Sequence, residues 1–242
     1  MANVFKSIGD FLAGKLIGQD PVTRKIPQQG AHEAIDSLML SPEFSYQGEN
    51  PMLQTLLDAA TKHWETDEST LLENMAKIGY HESAGTFDPS IQQIGGGPGR
   101  GIFQYEMDRP GQYNEEGKEY INQGAHTAVN RLISINSLDN NITLWGEGGQ
   151  PEWINDLINN NYNVGELNEE QQYLLFLADK MQDETASFKG VDTDEELADF
   201  WAEEHQAGTK VGTQEREDII SKFSKDMPGY EEYTGSIPFK KV

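Results

Sequence analysis

The chain has no cysteine. That absence excludes a disulfide framework, a thiolate metal site and any cysteine nucleophile. Positive charge is scarce: 18 Lys and Arg stand against 41 Asp and Glu in 242 residues, a formal net charge of −23. Such a surface repels a nucleic-acid backbone and an anionic lipid headgroup alike, so neither is an expected partner. No apolar run approaches the ~20 residues that a membrane-crossing helix needs. Residues 1–18 are broken by Lys6, Asp10 and Lys15. They lack the unbroken apolar centre of a secretory signal, and export by that route is not expected. Alternating runs of strand length and internal repeats are missing as well.

What is present reads as a mainly α protein. Aromatic residues make up 10 % of the chain, too many for a disordered acidic tail. A chain of this length buries roughly 70 % of the surface its unfolded form exposes, enough for a core without staples. Residues 1–29 read as an N-terminal arm: a short amphipathic helix through Val4, Phe5, Ile8, Phe11, Leu12, Leu16 and Ile17, then a linker broken by Pro21 and Pro27. That helix packs on its own domain, docks in a groove of a partner chain, or lies on a membrane surface.

Residues 30–227 read as one helical domain. Apolar spacing predicts helices over 31–40, 51–64, 68–81, 122–136, 151–160, 169–182, 194–206 and 214–227. Local signals support the starts: Pro51 in a first turn, Asp67 before Glu68, and Asn168, Thr193 and Thr213 as N-caps. Residues 228–242 read as a loop-like tail. A long irregular stretch, Thr86 to Gly101, interrupts the helices and carries Gly95-Gly96-Gly97-Pro98-Gly99. A loop of that length in a compact domain is usually functional or disordered, and its position against a strong helix favours function.

Glu82 falls at the C-terminal end of the 68–81 helix. The negative end of the helix dipole disfavours a charged carboxylate there, and half-burial of the side chain would add to the effect. Both favour the protonated form that a general acid needs. The order is apolar helix, Glu82-Ser83, a Gly/Pro-rich loop, then Gly101-Ile102-Phe103-Gln104. It resembles the lysozyme-like lytic transglycosylases, especially those carried in bacteriophage particles. A weaker third segment, Phe200-Trp201-Ala202-Glu203-Glu204-His205-Gln206-Ala207-Gly208, stands where the family has Tyr-Asn-Ala-Gly.

The resemblance covers about residues 65–210. It implies a lysozyme-like fold with Glu82 as sole acid/base, and it implies substrate contacts from Ser83, Gly101, Ile102, Phe103, Gln104, Tyr105, His205 and Gln206. The implied substrate is the peptidoglycan glycan strand, cut between N-acetylmuramic acid and N-acetylglucosamine. Glu82 protonates the glycosidic oxygen, the substrate's N-acetyl group stabilises the oxocarbenium-like centre, and Glu82 then deprotonates the C6 hydroxyl to close a 1,6-anhydro ring. No metal and no cofactor is implied.

Several residues keep two readings. Ser83 supports Glu82 or bonds a free carbonyl at the helix end. Gln104 contacts sugar, braces Glu82, or is an interior amide. Tyr80 and Tyr105 stack on sugar rings or belong to the core and rim. Arg100 meets a substrate carboxylate or is a surface cation. Asp88, before Pro89, reads as a loop shaper, and Glu106 and Asp108 as solvated carboxylates. A hydrolase would need one of these opposite Glu82. The five histidines (32, 63, 81, 126 and 205) form no His-Glu-x-x-His pair, and the glycine run lacks the Lys-Ser/Thr of a phosphate loop. Asp192, Asp194 and Glu195 lack calcium-loop spacing and read as a helix start.

The acidity bears on context. A wall hydrolase that diffuses to a polyanionic wall gains from positive charge; one delivered physically has no such need. With the separable arm, this points to a tail or core component of a phage virion acting in the host periplasm on entry; a marine or salt-adapted origin is the other explanation of the charge. The arm would then bind other virion proteins. A structural virion protein that kept the scaffold and lost turnover is the competing class.

Overall fold

The computed structural model of the chain describes residues 44–93, 97–114, 116–137, 142–146, 148–183, 186–205, 212–232 and 239–241. The expected arm (1–29) and the helix expected at 31–40 lie outside the described residues.

The described chain is mostly helical, with few short strands. In order it runs β1 (Phe44–Tyr46), α1 (Pro51–Trp64), α2 (Glu68–Glu82), β2 (Gly99–Arg100), β3 (Tyr105–Glu106), β4 (Arg109–Tyr113), β5 (Glu119–Tyr120), α3 (Gly124–Ser137), α4 (Glu152–Asn159), a 3-10 turn (Val164–Glu166), α5 (Glu169–Met181), α6 (Asp194–His205), α7 (Gln214–Glu231) and β6 (Phe239–Lys241). The helix starts follow local chemistry. Asn50 accepts from Met52 N and Leu53 N ahead of Pro51, and Asp67 accepts from Thr70 N. Asn168 and Gln171 form a reciprocal capping box, and Thr213 accepts from Arg216 N. Each satisfies backbone donors that a helix start leaves open.

Helix α5 is the centre of the domain. Every residue from Gln172 to Asp179 is buried, and a helix apolar all round belongs inside. Helices α1 and α3 pack against it, while α6 packs on α7 and α2 on both α1 and α7. Leu53, Leu56, Leu57, Leu71, Leu72, Met75, Leu174 and Phe176 are in the shared core.

Two expectations need correction. The stretch after Met227 is not loop-like from its start: α7 continues through Pro228 to Glu231. A proline there costs about 3 kcal/mol. Met227 and Tyr230, at 4 % and 8 % exposure, each recover about 1.5–3 kcal/mol by burial. Gly229 allows this approach, because a Cβ there would stand 2.5 Å from the Tyr80 hydroxyl. The tail also holds a strand: Phe239–Lys241 pairs antiparallel with Phe44–Tyr46. Two further antiparallel pairs, β2–β3 and β4–β5, lie between α2 and α3. These strands run two to five residues, too short to leave an alternating pattern.

Candidate active site

Glu82 is the last residue of α2, and its side chain is 9 % exposed. The chain then turns sharply. Ala84, Gly85 and Phe87 all take positive φ, at 51°, 77° and 51°. Ser83, fully buried, holds this turn: its hydroxyl accepts the Phe87 N–H at 3.0 Å, and its carbonyl accepts the Thr86 hydroxyl at 2.8 Å. The Ser83 hydroxyl therefore serves the backbone of the turn. Phe87 packs on Tyr80 with ring centroids 5.9 Å apart, which fixes the chain leaving Glu82.

The opposite wall is built on Gly101-Ile102-Phe103-Gln104. Gly101 has φ 75°, and a Cβ there would fall 2.4 Å from Gln172 Oε1. That oxygen accepts the Ile102 N–H at 2.7 Å. Gln172 Nε2 shares its two protons among the carbonyls of Pro89, Val164 and Leu167, at 2.8, 3.0 and 3.0 Å. One buried amide thus ties both loops and the 3-10 turn to α5. Gln104, at φ 52°, donates from Nε2 to Gly101 O at 2.8 Å.

These walls enclose a cleft of about 1160 Å³ lined by Glu82, Phe103, Gln104, Tyr105 and Trp201 among others. Glu82 and Gln104 therefore share one cavity. Gly101 and Ile102 do not line it, which corrects their expected contact role: Ile102 is fully buried, and Gly101 is the hinge that sends it inward. Phe103 is 5 % exposed and stacks on Phe176 at 4.2 Å, so it forms the cleft floor. Tyr80 and Tyr105 both line the cavity. The Tyr105 hydroxyl donates to Asp179 at 2.9 Å. Burial first, and then the Asp179 charge, hold its pKa well above the usual tyrosine range.

The third expected segment reaches Glu82 by a different residue. His205 closes α6, and Gln206 lies outside the described residues. One turn earlier, Trp201, 4 % exposed, donates from Nε1 to Glu82 Oε1 at 3.1 Å. Sequence reasoning placed Trp201 in the segment without giving it a role. His81 and Asp226 were missed as well. His81 Nδ1 is 2.6 Å from Asp226 Oδ2, and its Nε2 is 3.7 Å from Glu82 Oε1. The available signals were helical registers: Trp201 follows Leu197 and Ala198 on the apolar face of α6, and Asp226 follows Phe223 on α7.

Glu82, Glu106 and Asp226 line the cleft, with Lys180, Lys222 and Lys225 as its cations. Elsewhere cations are spent on the protein's own carboxylates: Lys77 on Glu73 and Asp194, Arg131 on Asp179 and Asp183, Arg216 on Asp199. Lys222 and Lys225 have no ion-pair partner among the described residues. Arg100 faces its own loop, donating to Gly97 O and Gly99 O at 2.7 Å each.

The remaining carboxylates lie elsewhere. Asp88 accepts from Ser90 N and Oγ at 2.8 and 2.7 Å. These bonds hold its carboxyl below the usual range, and it shapes the loop as expected. Asp108 is buried, not solvated: it accepts from Gln123 N at 2.8 Å and meets His126 Nδ1 at 3.0 Å. Among the described residues no three His, Asp or Glu stand together as a metal site, and no helix is long and apolar enough to cross a membrane. Comparison with protein-family models, with curated proteins and with solved structures finds no match to this chain.

Proposed function

We propose that the protein is a phage virion-associated peptidoglycan lytic transglycosylase on a lysozyme-like helical scaffold, opening the host wall locally during genome entry. The observation that carries this reading is the single cleft shared by Glu82, at a helix end, and Gln104, on the facing turn. Its volume, about 1160 Å³, exceeds the roughly 300–1,000 Å³ of common small-molecule pockets. That suits a stretch of polymer more than an isolated monosaccharide.

In this reading Glu82 gives its proton to the glycosidic oxygen between N-acetylmuramic acid and N-acetylglucosamine. Trp201, a donor only, engages Oε1 and so leaves the acid proton to Oε2. The neighbouring N-acetyl group stabilises the cationic sugar carbon. The carboxylate left on Glu82 then takes the C6 hydroxyl proton as the 1,6-anhydro ring closes. Tyr80 and Tyr105 offer aromatic faces to the sugars. Lys222 and Lys225, cations without an ion-pair partner among the described residues, meet the carboxylates of the lactyl group and peptide stem, a role that Arg100 is too committed to fill. The acidic chain is delivered with the particle, and residues 1–29 attach it to other virion proteins.

A second reading has specific support. Asp226 and Glu106 line the same cleft as Glu82, so either supplies the second carboxylate that a hydrolytic lysozyme needs to activate water. Purified peptidoglycan incubated with the protein tests the shared claim. Turbidity should fall with the unmutated protein and hold with Glu82→Gln. Constant turbidity with both, on wall from a permissive host, would refute any wall-cleaving function.

A further inference from the structure

The reaction just described makes no use of a nearly buried imidazole beside its acid. The His81 side chain is 6 % exposed and is fixed on three sides. Its ring packs over Phe223 with centroids 4.9 Å apart. Nδ1 meets Asp226 at 2.6 Å, and Nε2 looks to Glu82 Oε1 at 3.7 Å. Phe223 and Asp226 are three residues apart on α7, hence on one helix face. The ring therefore has one orientation, set by α7, a helix distant in sequence from the acid.

A carboxylate against one ring nitrogen makes that nitrogen the N–H. Asp226 thus assigns the proton to Nδ1 and turns Nε2 toward the acid. We infer that the Asp226–His81 pair is a positioning device for the Glu82 carboxyl, working on the same oxygen that Trp201 holds. This inference rests on the catalytic reading of Glu82. When Glu82 gives up its proton, negative charge grows on the carboxyl. With His81 protonated on both nitrogens and its charge balanced by Asp226, the Nε2–H closes from 3.7 Å to hydrogen-bond distance and stabilises that charge. Such contacts commonly tighten only in the substrate complex. When Glu82 is protonated again, the contact relaxes. No bond to carbon forms or breaks at His81, and no proton leaves it. The other charged groups that line the same cleft are Lys222 and Lys225 on α7, Lys180 on α5 and Glu106 on β3.

Two measurements test the pair separately from the reaction. Nitrogen-15 NMR of histidine-labelled full-length protein, assigned with His81→Gln, should show protons on both ring nitrogens of His81. Asp226→Asn keeps the size and removes the charge, and should weaken that signature. A His81 that lacks a proton on either nitrogen overturns the proposal whatever the protein cleaves. Kinetics on soluble glycan strands come second. Asp226→Asn should lower kcat about ten-fold or more while KM stays within about two-fold, because the pair touches the acid and not the sugar. Asp226 is 40 % exposed, so this variant keeps its fold, and circular dichroism verifies it. An unchanged kcat in Asp226→Asn, beside a strong loss in Glu82→Gln, overturns the positioning role and spares the catalytic one. The two-proton signature in a protein that cleaves nothing overturns the catalytic reading, and the positioning role with it.

Discussion

The indole nitrogen of Trp201 donates to Glu82 Oε1 at 3.1 Å, joining residues 119 positions apart in the chain. This bond ties α6 to the end of α2 at the cleft and engages one oxygen of the carboxyl. Trp201→Phe keeps an aromatic ring in a buried position and removes the donor. A hydrogen bond to a charged partner is worth about 1.5–3 kcal/mol, so kcat on peptidoglycan should fall by roughly ten- to a hundred-fold. Thermal melting checks that the fold survives.

Gly101 is a structural demand of the Gln104 wall. Its φ of 75° disfavours any side chain, and a Cβ would press on Gln172 Oε1. Gly101→Ala should lose about 1–3 kcal/mol of stability, read from the urea midpoint. Because Gln172 also holds Pro89 O, wall cleavage should weaken before the protein unfolds.

The cleft lysines should respond to substrate charge. Lys222→Ala combined with Lys225→Ala should raise KM for peptide-bearing glycan and leave peptide-stripped glycan nearly unaffected. The difference should shrink as salt is added, since exposed charges are screened within about 10 Å at 0.1 M. Initial rates on the two substrates at two salt concentrations check this. Equal effects on both substrates would mean that the lysines do not read the stem.

Glu169 couples stability to pH. Its Oε1 is buried and makes no hydrogen bond among the described residues. Burial first, with the Glu170 charge adding, lifts its pKa from 4.5 to about 7. The folded state therefore holds this proton more tightly than the unfolded chain. Below the unfolded value both states are protonated and nothing is lost. As pH rises from about 4.5 to about 7, the unfolded chain ionises first and stability falls. Glu169→Gln should match the unmutated protein at pH 4 and melt at higher temperature at pH 8.

Much of the helical frame was legible because its signals are local. Asn50, Asp67, Asn168 and Thr213 act within three residues of their own positions, as capping requires. The end of α7 was not legible: Pro228 is a local stop signal, and tertiary burial of Met227 and Tyr230 overrides it. The β1–β6 pair was hidden for a related reason, since strands of three residues carry no period. At the site, the helix-end position of Glu82 and the resemblance of the Glu82-to-Gln104 segment order to lytic transglycosylases brought these residues to notice, and one cleft holds both. Trp201, His81 and Asp226 stayed hidden because the Trp201–Glu82 and His81–Asp226 contacts are set by how α6 and α7 pack. Ile102 misled in the opposite direction, since an apolar residue inside a motif is also a core residue.

The arm carries its own test, although it lies outside the described residues. Deleting residues 2–20 should leave wall cleavage by the purified protein intact and abolish its incorporation into particles. Incorporation at the normal level would refute the docking role of Phe5, Ile8, Phe11 and Leu12.

The most direct measurement is a digest of purified peptidoglycan followed by mass analysis of the new sugar ends. The account predicts 1,6-anhydro-N-acetylmuramic acid ends from the unmutated protein. Release should fall by several powers of ten in Glu82→Gln, since acid–base catalysis is worth about 10²–10⁴ and one group serves both steps. Asp88→Asn and Glu106→Gln should cost far less. Reducing ends carrying oxygen from labelled water would contradict a one-glutamate transglycosylase, and with a large loss in Glu106→Gln they would establish a two-carboxylate hydrolase in its place.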